Sequence, residues 1–309
     1  MNPNTRFYGG VDRRTVDAVV SRPYGATSGR AWFVDATNGS DGNAGTFEAP
    51  VLTLAQAITL SAASQGDIIV IGPGTFTITA ALVPKAGVAF VAGVKLSVRK
   101  PTVIITGNIA DLVQVDVNNN LFDGIEFKAS GNTADNLVDV ADTAAVAGLA
   151  FHDCVFNGDD KTTVVGINAA DATFALSEME VRGCQFRDLT GTCIVVGVLG
   201  MAYSWIEDNQ FALDVNAGVG ISLADTGAFA TGKGYVIRRN VFTGFDATAD
   251  EVGITIAGTE NTTGAGIICD NRFAYIAAAA ITIDKLSLSE VQNHYGDAAT
   301  GGTLVDPGT

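Results

Sequence analysis

Ile206-Glu-Asp-Asn-Gln-Phe211, Ile237-Arg-Arg-Asn-Val-Phe242 and Ile268-Cys-Asp-Asn-Arg-Phe273 are three copies of one phrase. An aliphatic or aromatic residue is followed by two variable positions, then Asn or Cys, one variable residue, and Phe. Earlier copies are Phe122-Asp-Gly-Ile-Glu-Phe127, Phe151-His-Asp-Cys-Val-Phe156 and Val181-Arg-Gly-Cys-Gln-Phe186, and a worn one, Val291-Gln-Asn-His-Tyr295, closes the series. The closing aromatics stand 29, 30, 25, 31, 31 and 22 residues apart. Between the phrases lie alternating stretches such as Leu112-Val-Gln-Val-Asp-Val117, Gly220-Ile-Ser-Leu223, Gly253-Ile-Thr-Ile256 and Ala280-Ile-Thr-Ile283, the period-two pattern of strands. Each repeat therefore holds at least two short strands and has no room for a long helix.

A repeat of this length without a helix describes one coil of a parallel β-solenoid. A propeller blade needs ~40–45 residues and four strands. The 205 residues between Pro101 and Pro307 contain no proline, which suits continuous ladders, since proline has no N–H to donate. If the Phe of each phrase points inward, so does the Asn or Cys two places before it. The aliphatic residue five places back then has the wrong parity, and a bend must intervene. Gly124, Asp153, Gly183, Asp208 and Asp270 occupy that bend, residue types that tolerate left-handed backbone angles, with Arg239 the exception. The expected interior is a structural ladder of Asn209, Asn240 and Asn271 beside Phe127, Phe156, Phe186, Phe211, Phe242 and Phe273, with strands ~4.8 Å apart. Cys154 and Cys184 extend the Asn column. A disulfide between them is open, but buried thiols are the default.

The chain has 309 residues, 47% of them hydrophobic and 17% charged, with a net charge of −15. This composition is that of a folded protein, and the acidity argues against nucleic acid as a partner. No apolar run approaches the ~18 residues of a membrane span. The first residues lack a basic-then-apolar leader, so assembly in a cytoplasm is expected. The four cysteines show no CxxC spacing, and with two histidines no metal or cofactor is expected. Residues 1–30 form a basic arm with Arg6, Arg13, Arg14, Arg22 and Arg30 against Asp12 and Asp17, a charge of +3 that leaves −18 on the remainder. Residues 31–296 are the solenoid body and 297–309 a tail. Thr53 and Gln56 form a capping box that opens a helix at about 53–64, ended by Gly66, which can plug the open end of the solenoid.

Trp32-Phe-Val-Asp-Ala-Thr-Asn-Gly-Ser-Asp-Gly-Asn-Ala-Gly-Thr46, Thr53-Leu-Ala-Gln-Ala57 and Gly66-Asp-Ile-Ile-Val-Ile-Gly-Pro-Gly-Thr-Phe76, taken with the Asn-x-Phe coils, resemble right-handed, pectate-lyase-like β-helix proteins over roughly residues 31–295. The resemblance implies an all-β, single-stranded right-handed parallel β-helix. It is specific for fold rather than function, because this opening serves enzymes, surface proteins and phage virion proteins. The hydrolase branch would bring Asn-Thr-Asp, Asp-Asp, Gly-His-Gly and Arg-Ile-Lys in order. Only Asp159-Asp160 is present, and after Asn157-Gly158 it reads as a turn. Asp35, Asp41 and Asn43 suit a calcium loop or Asx-turns equally.

The position four residues before each Phe points outward and reads Asp123, His152, Arg182, Glu207, Arg238 and Cys269. Two interpretations compete: a groove with a catalytic Arg and carboxylate, or a ladder of opposite charges worth ~0.2–1 kcal/mol per pair. The alternation favours the ladder. The expectation is thus a non-catalytic phage capsid decoration or cement protein, a homotrimer assembled in the host cytoplasm. It would dock on the major capsid protein or other virion proteins through Arg6, Arg13, Arg14 and Arg22. The alternative is a tailspike-type polysaccharide lyase or glycoside hydrolase that binds glycans, with Asp159, Asp160, Arg182, Glu207 and Arg238 as its candidate catalytic residues.

Overall fold

The computed structural model describes residues 29–295, apart from 97–100, 132–135, 141–144, 162–163, 171–175, 198–200, 214–217, 225–233, 245–250, 258–265, 275, 277–278, 284–287 and 292. The tail at 297–309 and all of the arm but Gly29 and Arg30 lie outside the described residues. The body is an all-β, right-handed parallel β-helix with three long sheets. Among the described residues the first has ten strands, from Ala31–Val34 to Leu288–Val291. Among the same residues the second has nine, from Gly74–Thr77 to His294–Tyr295, and the third seven, from Asp111–Val115 to Ala279–Ile283. A three-stranded strip (Val146–Ala147, Leu176–Ser177, Met201–Ala202) adds a fourth edge to the middle coils. Each strand pairs in parallel with the equivalent strand of the next coil, so side chains recur in columns along the axis.

One coil illustrates how the phrase makes the turn. Ser204–Glu207 runs in the first sheet, Asp208 turns with φ 60°, and Gln210–Leu213 continues in the second. The same left-handed backbone occurs at Gly124, Asp153, Gly183, Arg239 and Asp270, so Arg239 bends as its counterparts do despite its side chain. The bend restores the parity that places Ile206, Asn209 and Phe211 in one interior, all buried. Phe127, Phe156, Phe186, Phe211, Phe242 and Phe273 form a single stack, with centroid separations of 5.4, 4.6, 4.7, 4.6 and 4.9 Å. A second stack, Phe90, Phe122 and Phe151, lies edge-on to it at the N-terminal end.

The glycine of the alternating phrase has a packing role. A Cβ on Gly220 would sit 2.5 Å from the Gly253 carbonyl oxygen and 2.7 Å from a ring carbon of Phe242, and one on Gly166 would sit 2.4 Å from the Cys193 carbonyl oxygen and 3.1 Å from Phe186. The third sheet thus gives up side chains where the next coil's backbone and the aromatic column both come close.

The Asn column is satisfied by itself. Asn209 Nδ2 donates to Asn240 Oδ1, Asn240 Nδ2 to Asn271 Oδ1 and Asn271 Nδ2 to Asn293 Oδ1, each at 3.0 Å. Each amide also donates to a carbonyl of the preceding coil, and each Oδ1 accepts the backbone N–H one coil back. Cys154 and Cys184 occupy the same column as free thiols, donating to the carbonyls of Phe122 and Phe151 at 3.4 Å. Burial pushes the Cys184 thiol well up, so it is a packed hydrophobe rather than a nucleophile.

At the N-terminal end, α1 (Leu54–Leu60) opens on Thr53, whose hydroxyl accepts Gln56 N–H at 3.2 Å. Leu54, Ala57 and Ile58 join the core, which suits a plug. The helix is shorter than its sequence signals: it ends at Ser61, not Gly66. Ser61 N–H still bonds Ala57 O, but its ψ of 155° is already extended. Gly66, at φ 74°, instead shapes the turn into the strand Ile68–Ile71.

Candidate functional site

The outward row of the first sheet has the register its spacing implies. Asp123 pairs with His152, His152 with Arg182, Arg182 with Glu207, Glu207 with Arg238, and Arg238 with Cys269. Glu207 is the centre of this row. Its Oε1 lies 2.5 Å from Arg182 Nη2, and its Oε2 accepts Arg238 Nε at 2.5 Å and Arg239 Nη2 at 3.0 Å. Arg239 also grips Asp208 through two bonds of 2.7 Å. The bend residue that looked anomalous in sequence is therefore a third cation on Glu207.

The Glu207 side chain is only 2% exposed, covered by those guanidinium groups rather than sunk in the core. Burial alone would raise its carboxyl. The Arg238 hydrogen bond and the charges of Arg182 and Arg238 outweigh that and hold it below its ordinary value of 4.5. The ladder estimate of ~0.2–1 kcal/mol per exposed pair thus understates this residue. Glu207→Gln should cost about 1–3 kcal/mol in urea denaturation at neutral pH, because three charge-assisted contacts lose their anion. A carboxyl with a depressed folded pKa contributes stability above 4.5 that disappears as pH falls through the folded value, so the gap between variant and wild type should close in acid.

The upper part of the row is wired differently from the simple alternation. His152 Nε2 lies 3.3 Å from Glu180, and Glu180 also holds Arg182 at 2.8 Å. Asp123 binds Lys95, which reaches Asp153 at 3.0 Å as well. Sequence reading missed Lys95 because it precedes the repeats, and Glu180 because it stands two residues before the outward position. On the neighbouring outer face of the second sheet, buried Glu126 accepts Asn157 Nδ2 at 2.8 Å and Arg187 Nη2 at 3.0 Å.

Asp159 and Asp160 form a turn, both with positive φ (54° and 53°). Asp159 N–H bonds Asn157 Oδ1 at 2.9 Å, and its carboxylate lies 2.8 Å from Lys128 and 3.4 Å from Lys161. The Lys128 hydrogen bond keeps that carboxyl below its ordinary value. The pair follows the second-sheet strand Val155–Asn157, whereas Arg182, Glu207 and Arg238 end first-sheet strands, so the five candidate catalytic residues are split between two sheets.

The N-terminal acidic loop fastens its own turns and the start of α1. Asp35 Oδ1 accepts Thr37 and Asn38 N–H, Asp41 accepts Leu52 and Thr53 N–H, and Asn43 Nδ2 donates to Pro50 O. Asp67, given no role by the sequence, fastens the entry of the chain: it accepts Arg30 N–H (2.7 Å), Trp32 Nε1 (2.8 Å) and Ala62 N–H (2.8 Å). Among the described residues no three His, Cys, Asp or Glu side chains gather as a metal site, and no helix is long and apolar enough to cross a membrane.

No protein-family model and no curated protein matches the sequence. Solved structures do resemble the fold. A PL6-family alginate lyase, AlyGC, superposes with a TM-score of 0.61 at 15% identity, over 87% of this chain but 40% of the lyase. The chain thus spans less than half of that enzyme. Pectin methylesterases of Aspergillus niger (TM-score 0.59, 12% identity, 87% of each chain) and carrot (0.58, 12%, 91% of this chain and 87% of the esterase) resemble it as well. At such identities the likeness is one of fold: the right-handed parallel β-helix.

Proposed function

We propose that this chain is a non-catalytic structural β-helix that decorates or cements a phage capsid, docking as a homotrimer through its basic N-terminal arm. The observation that carries the non-catalytic reading is Glu207. A carboxylate bound by three guanidinium groups and shielded from solvent is a fastening between coils, not a poised acid, base or nucleophile. The docking reading draws support from the charge asymmetry, +3 on residues 1–30 against −18 on the rest.

Deleting residues 2–30 tests the docking. The truncated chain should keep its β-sheet circular dichroism, since the interior starts at Trp32 and α1 caps it, yet sediment as a monomer and fail to attach to particles. Raised salt should weaken attachment of the intact chain by screening Arg6, Arg13 and Arg14. Normal occupancy of the truncated chain on particles would overturn the docking role.

A tailspike-type lyase or hydrolase is the second reading, favoured by the alginate lyase and pectin methylesterases among the structural neighbours. It would have to work with Arg182, Glu207 and Arg238 already engaged in ion pairs.

A further inference from the structure

The outer face of the first sheet is covered at its head by the chain itself. Phe33, Ile68, Val70 and Val91 form an apolar cluster there, and Phe47 packs on it with its ring edge-on to Phe33 at 5.5 Å. Below that cover, the column two residues before the charged row runs in register through Ala89, Leu121, Ala150, Glu180, Trp205 and Ile267. Trp205 is 40% exposed and Ile267 44%. Glu180, the charged member, is drawn sideways onto Arg182 and His152 of its own chain. An apolar stripe therefore lies open on the body.

The two flanks of the stripe differ. On one side is the charged row, where Arg182, Arg238 and Arg239 stay half-exposed around Glu207. On the other is a column of turns, Asn119, Gly148, Glu178 and Tyr203, all left-handed, with φ 60°, 70°, 54° and 48°. Glycine takes that backbone freely, whereas Glu178 and Tyr203 hold it at a cost. Both of those side chains are exposed, Tyr203 by 52%. Glu178 stands at the level of Arg182, and Tyr203 at the level of Glu207 and its guanidinium cover.

We infer that this face packs against the same face of other copies of the chain, side by side and parallel about an axis along the solenoid. Rotation about such an axis sets each level against its own level, and one flank against the opposite flank of the neighbouring copy. The apolar stripe then meets itself and Glu178 meets the neighbouring copy's Arg182. Tyr203 meets the guanidinium groups over the neighbouring copy's Glu207, a cation–π pairing. An antiparallel pairing would instead set like flanks together, arginine row on arginine row. The acidity of the body, −18 outside residues 1–30, disfavours contact through faces that lack such pairing. From Ala89 to Ile267 the stripe crosses seven strands, about 29 Å in length and about 13 Å between its flanks. That is on the order of 400 Å² per copy, against ~800 Å² in a standard interface. The face thus sets how copies are oriented, and the arm is still needed for stable assembly. The inference rests on the homo-oligomeric part of the function proposed above and names its contact face.

Sedimentation velocity of the full chain tests it. Wild type should run as an oligomer. Trp205→Glu sets like charges against one another on the axis and should weaken association roughly thirtyfold or more. Its circular dichroism and thermal midpoint should be unchanged, since the ring points outward. Glu178→Arg turns the flanking attraction into repulsion and should weaken association roughly threefold or more, less so at high salt. Val241→Glu, at a comparably exposed outward position on the second sheet, should leave the oligomer intact. Oligomers that a folded Trp205→Glu leaves intact would overturn this face while the oligomeric reading stands. Should that variant lose its fold, Glu178→Arg decides in the same way. A wild type that stays monomeric at every concentration would overturn both.

Discussion

Phe211→Ala should destabilise the fold by about 3–5 kcal/mol, among the largest losses from a single substitution in this protein. The ring lies 4.7 Å from Phe186 on one side and 4.6 Å from Phe242 on the other, nearly parallel to both. Its neighbours cannot close on the cavity, because each ring belongs to a strand whose position is set by hydrogen bonds to the coils above and below. The space therefore stays empty and its cost is paid in full. Val241→Ala is the matched control one residue before the next ring: it points outward, is 36% exposed, and should cost under ~1 kcal/mol. Chemical denaturation of the two variants checks the register, and equal losses would contradict it.

Asn240→Ala should cost about 3 kcal/mol or more for a different reason. Its Oδ1 accepts Asn209 N–H and Nδ2, while its Nδ2 donates to Ile206 O and Asn271 Oδ1. Alanine leaves two donors and a carbonyl stranded in a dry interior, each a loss of about 1–3 kcal/mol before relaxation. Asn240→Cys should lose less, since Cys154 and Cys184 already stand in this column and donate to the equivalent carbonyl. Thermal unfolding of the pair orders them, and an alanine variant as stable as the cysteine one would count against a cooperative amide ladder.

The interior was legible because its determinants are local. The bend, the Asn or Cys and the Phe lie within six residues, and their repetition supplies the third dimension without knowledge of distant contacts. Even Asn293, in the worn last copy, continues the amide ladder. The outer surface was less legible because its contacts join residues on different coils. Glu207 takes its third guanidinium from Arg239, 32 positions away, which in sequence only spoiled a pattern of Gly and Asp. Asp67 collects donors from 30, 32 and 62, which stand far from it in sequence or outside its own stretch. The role of Gly220 depends on a ring in the next coil, so the missing side chain has meaning only after folding. The end of α1 was misplaced because Gly66 is a stronger signal than Ser61, while the chain left the helix as soon as the core contacts of Ala57 and Ile58 were made.

The central claim is that the outer charged row fastens coils together rather than cleaving anything. Incubation of the wild type and Glu207→Gln with a panel of anionic and neutral polysaccharides, followed by mass spectrometry for new unsaturated or reducing ends, tests it most directly. The fastening account predicts no new ends from either protein, alongside a less stable variant. Sugar ends released by the wild type and abolished in Glu207→Gln would contradict it.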